Sequence, residues 1–376
     1  MKERIKSSNK QLNILKFLLS LIFLIYFKHS FSQLAAWRED EAVTLWLALV
    51  NNLFDSPFGN VSSTGLPNPN LSVVISKFLT IFNSLSGVSL VLGLSQMLII
   101  FYSFYSNQYE YNKVLIMFVG FSLYLTYLTT SIWYQFMLTT LNALFLKLIF
   151  DYLLEKKYFM FWYFPFLTIL PASLYLGGLS NSILFFLFFL FAVVFNFKNF
   201  KSNFSNIRHF FISIILFLSV LLMTWYQYFS NLNFELLRIQ SGSQLFPYSR
   251  IRDYVYVGLQ YIKETPQFFY DVFSSTDSIY FLFTYSDKLS ESTIRLIELT
   301  FLSHKLLNIL AVFVIVTSLI LMFTGYKDKV NDKLLLKNLI VCIYIFSYTI
   351  VNPLLGGRQF LEFDIQALSV FSSTYI

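Results

Sequence analysis

The feature that most constrains this chain is a succession of apolar runs, each about twenty residues long and nearly free of charge. A helix of roughly 20 apolar residues is long enough to cross the hydrocarbon core of a bilayer. About nine such runs, within a range of eight to eleven, follow one another along the chain. They cover residues 12–35, 88–106, 113–131, 135–154, 158–177, 180–197, 209–229, 304–324 and 335–353. The pattern predicts an all-α polytopic membrane protein in which residues 1–376 form a single transmembrane domain.

The composition favours lipid over water as the main surroundings of the chain. Only 12% of its residues are charged, whereas a soluble globular domain carries about 25%. A net charge of +7 suggests nucleic acid as the partner of a soluble protein. Here the basic residues lie mostly in short loops, where the positive-inside rule explains them and excludes a nucleic-acid partner. The single cysteine, Cys342, excludes an intramolecular disulfide and a thiolate metal site.

The basic residues also predict the orientation of the chain. They fall in the N-terminal tail and in alternate short loops, whereas the intervening loops near residues 131–134 and 177–181 carry none. The five basic sets are Lys2, Arg4, Lys6 and Lys10; Lys113; Lys156 and Lys157; Lys198, Lys201 and Arg208; and Lys327, Lys329 and Lys333. The N-terminus is therefore predicted to be cytoplasmic.

With this orientation, two long segments are predicted to lie on the external side of the membrane, residues 36–87 and 230–303. The end of the chain from residue 354 is predicted to lie on the same side. Fourteen of the 20 acidic residues lie in these three segments, and the cytoplasmic loops are too short to form a domain. We therefore expect any chemistry at the external face. The segment 230–303 is expected to form short helices on the membrane surface, either covering a site or serving as a purely structural lid.

The first external loop begins with three consecutive acids, Glu39, Asp40 and Glu41. The apolar stretch 42–54 is too short to span a membrane and predicts a helix at the interface or docked on the bundle, with Asp40 as its N-cap or Glu41 in its first turn. A loop rich in Gly, Ser, Asn and Pro follows, and then a second apolar helix over residues 71–82. One carboxylate could act as a general base toward a hydroxyl group. Equally, Arg38 could pair with one acid while the others cap the helix.

Three short motifs in this order carry a family resemblance: residues 37–42 (Trp-Arg-Glu-Asp-Glu-Ala), 67–71 (Pro-Asn-Pro-Asn-Leu) and 87–89 (Gly-Val-Ser). They resemble the Asp-Glu-Ala segment, the Pro-Pro-Leu turn and the Gly-x-Ser motif of the GT-C superfamily of membrane glycosyltransferases. The bacterial relatives of the protein O-mannosyltransferases are the most similar group. The second Pro of the turn is Asn here. The resemblance covers residues 12–105 and is only topological beyond them.

The resemblance implies an inverting glycosyltransferase that moves a sugar from a polyprenyl-phosphate donor to an acceptor at the external face of a bacterial inner membrane. Asp40 would be the catalytic base, and Glu41 would position the acceptor or a cation. Glu39 is less suited than Asp40 and Glu41 to these roles. The acceptor, whether protein, lipid or glycan, stays open.

The leaving phosphate needs a cation, and the planar fork of arginine suits phosphate oxygens. The candidates for donor-phosphate binding are Arg358, Arg250 and Arg252. Arg358 lies in a segment that loosely resembles an Arg-Tyr segment of the family, with Gln359 in place of the Tyr. Interface anchoring is the alternative for each of them. Some relatives use a divalent metal, but no ligand set can be assigned here. Family members commonly have more spans and a longer C-terminal part, which implies that this chain is truncated or divergent.

Three other classes fit the same topology: a polysaccharide polymerase or ligase, a secondary transporter without enzymatic activity, and a non-enzymatic scaffold. Polymerases and ligases usually depend on external Arg and His residues, whereas transporters tend to show internal repeats and polar groups at mid-membrane. Ionisable residues within the predicted spans are few. Lys147 and Asp151 lie one turn apart and are predicted to pair and snorkel. The concentration of acids outside the membrane favours the transferase.

Overall fold

The computed structural model describes residues 19, 21–29, 39–51, 58–61, 67–82, 84–105, 137–153, 163–175, 178–195 and 207–231, with single helical positions between 291 and 347. These residues are mostly helical. The helices are α1 (Glu39–Val50), α2 (Leu71–Leu79), α3 (Leu85–Phe104), α4 (Met137–Leu153), α5 (Phe164–Leu174), α6 (Leu179–Phe195), α7 (Ile207–Val220) and α8 (Gln227–Asn231). A 3-10 turn, Thr80–Phe82, follows α2, and a π-helical segment, Leu221–Tyr226, joins α7 to α8.

Two of these helical stretches, Ser86–Ser103 and Arg208–Asn231, are long and apolar enough to cross a membrane. Three shorter stretches in the part of the chain that the structure describes are also apolar: Leu71–Phe82, Phe164–Leu174 and Leu179–Val194. The five apolar runs predicted between residues 88 and 229, apart from 113–131, all coincide with helices. Residues 21–29 are helical within the first predicted run, whereas the run 113–131 lies outside the described residues.

The helices pack in an interlocked order in which α3 contacts α4, α4 contacts α5 and α6, and α5 contacts α6 and α7. The aromatic ring of Phe145 lies at the centre, stacked on Phe185 at 4.1 Å between ring centroids and edge-on to Phe164 at 5.2 Å. A buried hydrogen bond joins α3 to α4, donated by Thr140 Oγ1 to Gln96 Oε1 over 2.7 Å. In an apolar surrounding, such packing and interhelical hydrogen bonds are what hold helices together.

The turn between α5 and α6 is closed by unusually tight backbone contacts. Pro171 stands inside α5, and the N–H group of Ala172 donates to the Oγ of Ser182 on α6 at 3.1 Å. Gly178 donates its N–H to the carbonyl of Tyr175 at 2.9 Å. A Cβ added at Gly178 would lie 2.3 Å from the Pro171 carbonyl oxygen, so only glycine fits at this position.

The expectation of an all-α chain is corrected by a small antiparallel hairpin in the segment predicted to be the first external loop. Strand β1 (Phe58–Val61) pairs with strand β2 (Pro67–Pro69), so that Phe58 lies opposite Pro69 and Val61 opposite Pro67. Proline has no N–H group to donate to a ladder, which limits the pairing to this short, irregular piece. Gly59 permits the close approach, because a Cβ there would lie 2.6 Å from the Pro69 carbonyl oxygen.

The predicted pairing of Lys147 and Asp151 is confirmed. Lys147 Nζ lies 2.5 Å from Asp151 Oδ1, and the Lys147 ammonium is 5.8 Å from the centroid of the Tyr102 ring. The expected snorkelling is wrong, because the two side chains are only 13% and 3% exposed. Packing of α4 against its neighbours encloses the pair inside the bundle.

Candidate functional site

The three consecutive acids at residues 39–41 form the first turn of α1. The helix begins at Glu39 rather than at residue 42, and it ends at Val50 rather than at residue 54. Asp40 is therefore the second residue of the helix and not its N-cap. Backbone N–H groups at this end have no partner within the helix, and the helix dipole favours negative charge there, which explains why three carboxylates are tolerated together.

One face of α1 is docked on one end of the helix bundle. Thr44, Leu45 and Ala48 are buried on this face. Leu45 packs into an apolar cluster contributed by α3, α4 and α5, whose other members are Val88, Leu92, Met137 and Leu174. The opposite face is apolar but exposed, with Trp46 at 59% and Leu49 at 63%. Docking on the bundle, one of the two predicted placements, is therefore confirmed.

The helical register separates the three acids from one another. Position 41 precedes the buried Leu45 and Ala48 by four and seven residues, so it lies on the docked face of α1. Position 39 precedes the exposed Val43 and Trp46 by the same intervals and lies on the outer face. Position 40 falls between these two faces.

The segment between α1 and α2 contacts the first two residues of α8. Asn70, which is buried between β2 and α2, donates from Nδ2 to Gln227 Oε1 at 3.3 Å. The ring of Phe58 on β1 meets Tyr228 edge-on, with 5.6 Å between centroids. Since α1 contacts both α2 and β1, these two contacts connect the acid-bearing helix to α8. The predicted helix over 71–82 is confirmed as α2 with its 3-10 turn.

The π-helical segment positions the side chains that contact this loop. Trp225 donates from Nε1 to Ser173 Oγ on α5 at 2.9 Å. Its ring stacks on Phe229 and meets Tyr228 edge-on, both at 5.6 Å. π-Helical turns are rare and frequently occur at functional sites. Here the turn directs one aromatic residue to α5 and the following polar and aromatic residues to the hairpin.

Several predicted site residues lie outside the described residues. They are Arg250, Arg252 and Arg358, as well as most of the predicted segment 230–303. The side chains of Glu39, Asp40 and Glu41 are also outside the description, although their backbone is helical. Among the side chains that the structure does describe, no group of three His, Cys, Asp or Glu residues could hold a metal ion. The divalent metal of the resemblance therefore has no described ligand set.

Sequence reasoning missed two sets of buried polar residues. Lys28 is fully buried on the helical stretch 21–29, inside the first predicted span. The signal for it was a charged residue within an apolar run, which is by default a functional candidate. Asn142, Asn181 and Tyr344 are also fully buried. Asn142 accepts a hydrogen bond from each of the other two residues. The sequence feature that could have indicated this second set is the presence of uncharged amides within apolar runs.

Comparison of the chain with protein-family models, with curated proteins and with solved structures gives no match.

Proposed function

We propose that this chain is an integral protein of a bacterial inner membrane, with about nine spans and a cytoplasmic N-terminus, that transfers a sugar from a polyprenyl-phosphate donor to an acceptor at the external face. The observation that carries the proposal is the placement of α1. A helix that opens with three carboxylates is held against the outer end of an apolar helix bundle through Leu45. Carboxylates at such a boundary can meet a donor whose lipid tail lies in the bilayer.

The exposed face of α1 supports a position at the membrane boundary. Trp46, Leu49 and Val50 are exposed apolar side chains on a helix that also has a buried apolar face. Tryptophan is enriched where a bilayer meets water, because its ring is amphipathic. A helix lying in this plane places its first turn at the depth of lipid headgroups, where the phosphate of a polyprenyl donor would also lie.

In the proposed reaction, the Asp40 carboxylate takes the proton of the acceptor hydroxyl as its oxygen attacks the anomeric carbon of the sugar. The new bond from carbon to the acceptor oxygen forms as the bond to the phosphate oxygen breaks, so the configuration inverts. Polyprenyl phosphate leaves with the electron pair, and Arg358, or Arg250 and Arg252, stabilises its charge. Glu41, whose position lies on the docked face of α1, orients the acceptor.

Asp40→Asn tests the assignment of the base. The amide keeps the size of the side chain and removes its basicity, so sugar transfer should fall by roughly 100-fold or more. The assay uses purified full-length protein in nanodiscs, a panel of synthetic polyprenyl-phosphate monosaccharides and a membrane extract that supplies acceptors. Release of polyprenyl phosphate is measured. Protein yield should hardly change, because the substitution keeps a first-turn polar residue.

Glu39→Gln is the matched control, since position 39 lies on the outer face of the same helical turn. It should retain most of the turnover, and Glu41→Gln should lose an intermediate amount. Equal turnover in wild type and Asp40→Asn would contradict the catalytic role of Asp40. If the wild-type protein consumed no donor in the panel, a transporter or a polymerase would become the better reading.

A further inference from the structure

Three fully buried polar residues meet inside the bundle, far from the acids of α1 in sequence. Asn142 lies on α4, Asn181 on α6, and Tyr344 at a helical position within the last predicted span. Asn181 donates from Nδ2 to Asn142 Oδ1 at 3.0 Å. The Tyr344 hydroxyl donates to the same oxygen at 2.7 Å. One amide oxygen thus connects three helical segments.

Each of the two amides has one unsatisfied polar atom, a donor on one amide and an acceptor on the other. Asn142 Nδ2 and Asn181 Oδ1 are buried atoms with no hydrogen-bond partner in the part of the chain that the structure describes. Turning both amides over preserves the bond between them and again leaves one N–H donor and one carbonyl acceptor. The unmet requirement is therefore the same in either orientation. A buried amide without a partner is costly, and native proteins rarely leave one so.

The surroundings restrict what can meet this requirement. Phe145, one turn after Asn142, stacks on Phe185, and the Tyr344 ring lies 5.4 Å from Phe145 and 5.5 Å from Phe188 between centroids. This aromatic layer leaves the amides without solvent exposure. A cation does not fit, because one of the two groups is an N–H donor. The occupant must be small and neutral, and must both accept and donate a hydrogen bond.

We propose that Asn142 and Asn181 hold one buried water molecule, which accepts from Asn142 Nδ2 and donates to Asn181 Oδ1. Buried waters typically serve such otherwise unsatisfied polar groups. The water completes a polar junction that fixes the segment around Tyr344 to α4 and α6. The site does not depend on the proposed transferase activity, since neither asparagine belongs to the acid-bearing loop.

A crystal structure of the full-length protein, at a resolution that shows ordered solvent, tests the proposal directly. Density for one water is expected within about 2.7–3.2 Å of both Asn142 Nδ2 and Asn181 Oδ1. Tyr344→Phe is the matched control: it removes one bond to Asn142 but leaves both partners of the water, so the water should persist. Asn181→Leu should abolish it. Absence of the water in the wild type, or a protein side chain in its place, would overturn the proposal.

Thermal unfolding of single and double variants tests the junction independently. The variants are made in a Tyr344→Phe background, because the Tyr344 hydroxyl would otherwise lose its acceptor on Asn142. In that background Asn142→Leu and Asn181→Leu each remove the partner of the other amide, so each should lower the unfolding midpoint. The double variant removes both amides and should regain at least half of the larger single loss, because neither amide then remains to be satisfied. Losses that simply add in the double variant would show that the two amides do not share an occupant.

Discussion

Lys147 and Asp151 carry opposite charges one helical turn apart on α4 and lie almost wholly out of solvent. Their mutual attraction offsets the loss of hydration only while both charges are present. The Tyr102 ring, 5.8 Å from the ammonium, adds a favourable contact for the cation alone. The stability of this pair is therefore a property of both residues together.

Removing one charge of this pair should destabilise the protein strongly. We expect Asp151→Asn to lower the free energy of unfolding by about 3 kcal/mol, because it leaves a buried ammonium without its counter-charge. Lys147→Met combined with the same Asp151→Asn should recover most of that loss. Denaturant unfolding of the four proteins of this double-mutant cycle, purified in detergent, gives the coupling. A purely additive result would contradict the buried pairing.

Glu291 and Arg295 provide the control for this experiment. They have the same spacing of four residues and a comparable distance of 2.6 Å, but their side chains are 79% and 73% exposed. Exposed pairs contribute little because water and salt screen them. Glu291→Gln should leave the unfolding transition almost unchanged.

At this scale, sequence reasoning succeeded where the partners were local. The pairing of Lys147 with Asp151 followed from helical spacing. Tyr344 and Asn142 are 202 positions apart, and nothing in either neighbourhood indicates the other. The same limit applies to Asp40 and Arg358, whose approach to each other depends on how distant helices pack. Their joint presence in one site, as base and as phosphate-binding residue, stays a prediction.

Among the elements, the α5–α6 hairpin depends most visibly on a single backbone position. Gly178→Ala would place a Cβ against the Pro171 carbonyl, which is rigid backbone. We expect a loss of about 1–3 kcal/mol in unfolding free energy, typical of overpacking. Gly87→Ala is the graded comparison. Its Cβ would meet the Ser84 hydroxyl, a movable side-chain atom, but moving this hydroxyl gives up the N-cap bond that it accepts from the residue 87 N–H, so we expect a smaller loss of about 1 kcal/mol. Equal losses in the two variants, measured by thermal unfolding, would contradict this account.

The elements themselves were predictable to different degrees. The span of α2 followed from an apolar run bounded by Asn70 on one side and a polar Asn-Ser pair on the other. The hairpin was missed because a Pro-Asn-Pro strand runs against ordinary strand composition. The π-helical segment was missed because residues 221–226 are mostly apolar, and their one hydroxyl on a short side chain, that of Thr224, donates within the helix to the Val220 carbonyl and so gives no sign of a change of helical phase.

For the whole molecule, the proposed topology makes a direct prediction about sidedness. In a Cys342→Ser background, cysteines introduced at Ser63 and Ser275 should react with a membrane-impermeant maleimide from the external side. Cysteines at Lys157 and Lys201 should react only after the cytoplasmic face is opened. Labelling of positions 63 and 157 from the same side would contradict both the topology and an external site.

The molecule's architecture was more predictable than its site. Apolar runs of membrane length can be read directly from the sequence, and five of them coincide with the helices of the bundle. The packing of Leu45 on α1 joins it to residues as distant in sequence as Leu174. Local composition carries no signal for it.

The π-helical segment between α7 and α8 has a consequence for how this chain tolerates changes in length. A π turn accommodates an extra residue relative to an α turn. The helix on either side of such a turn keeps its phase, because the wider turn absorbs the additional residue. Deleting one residue between 221 and 226 should therefore convert the segment into plain α-helix and leave Gln227 and Tyr228 directed at Asn70 and Phe58. The same deletion in a uniform α-helix would rotate everything after it by about 100° about the axis. This helix can thus lose one residue here and keep its contacts with the loop that carries Phe58 and Asn70.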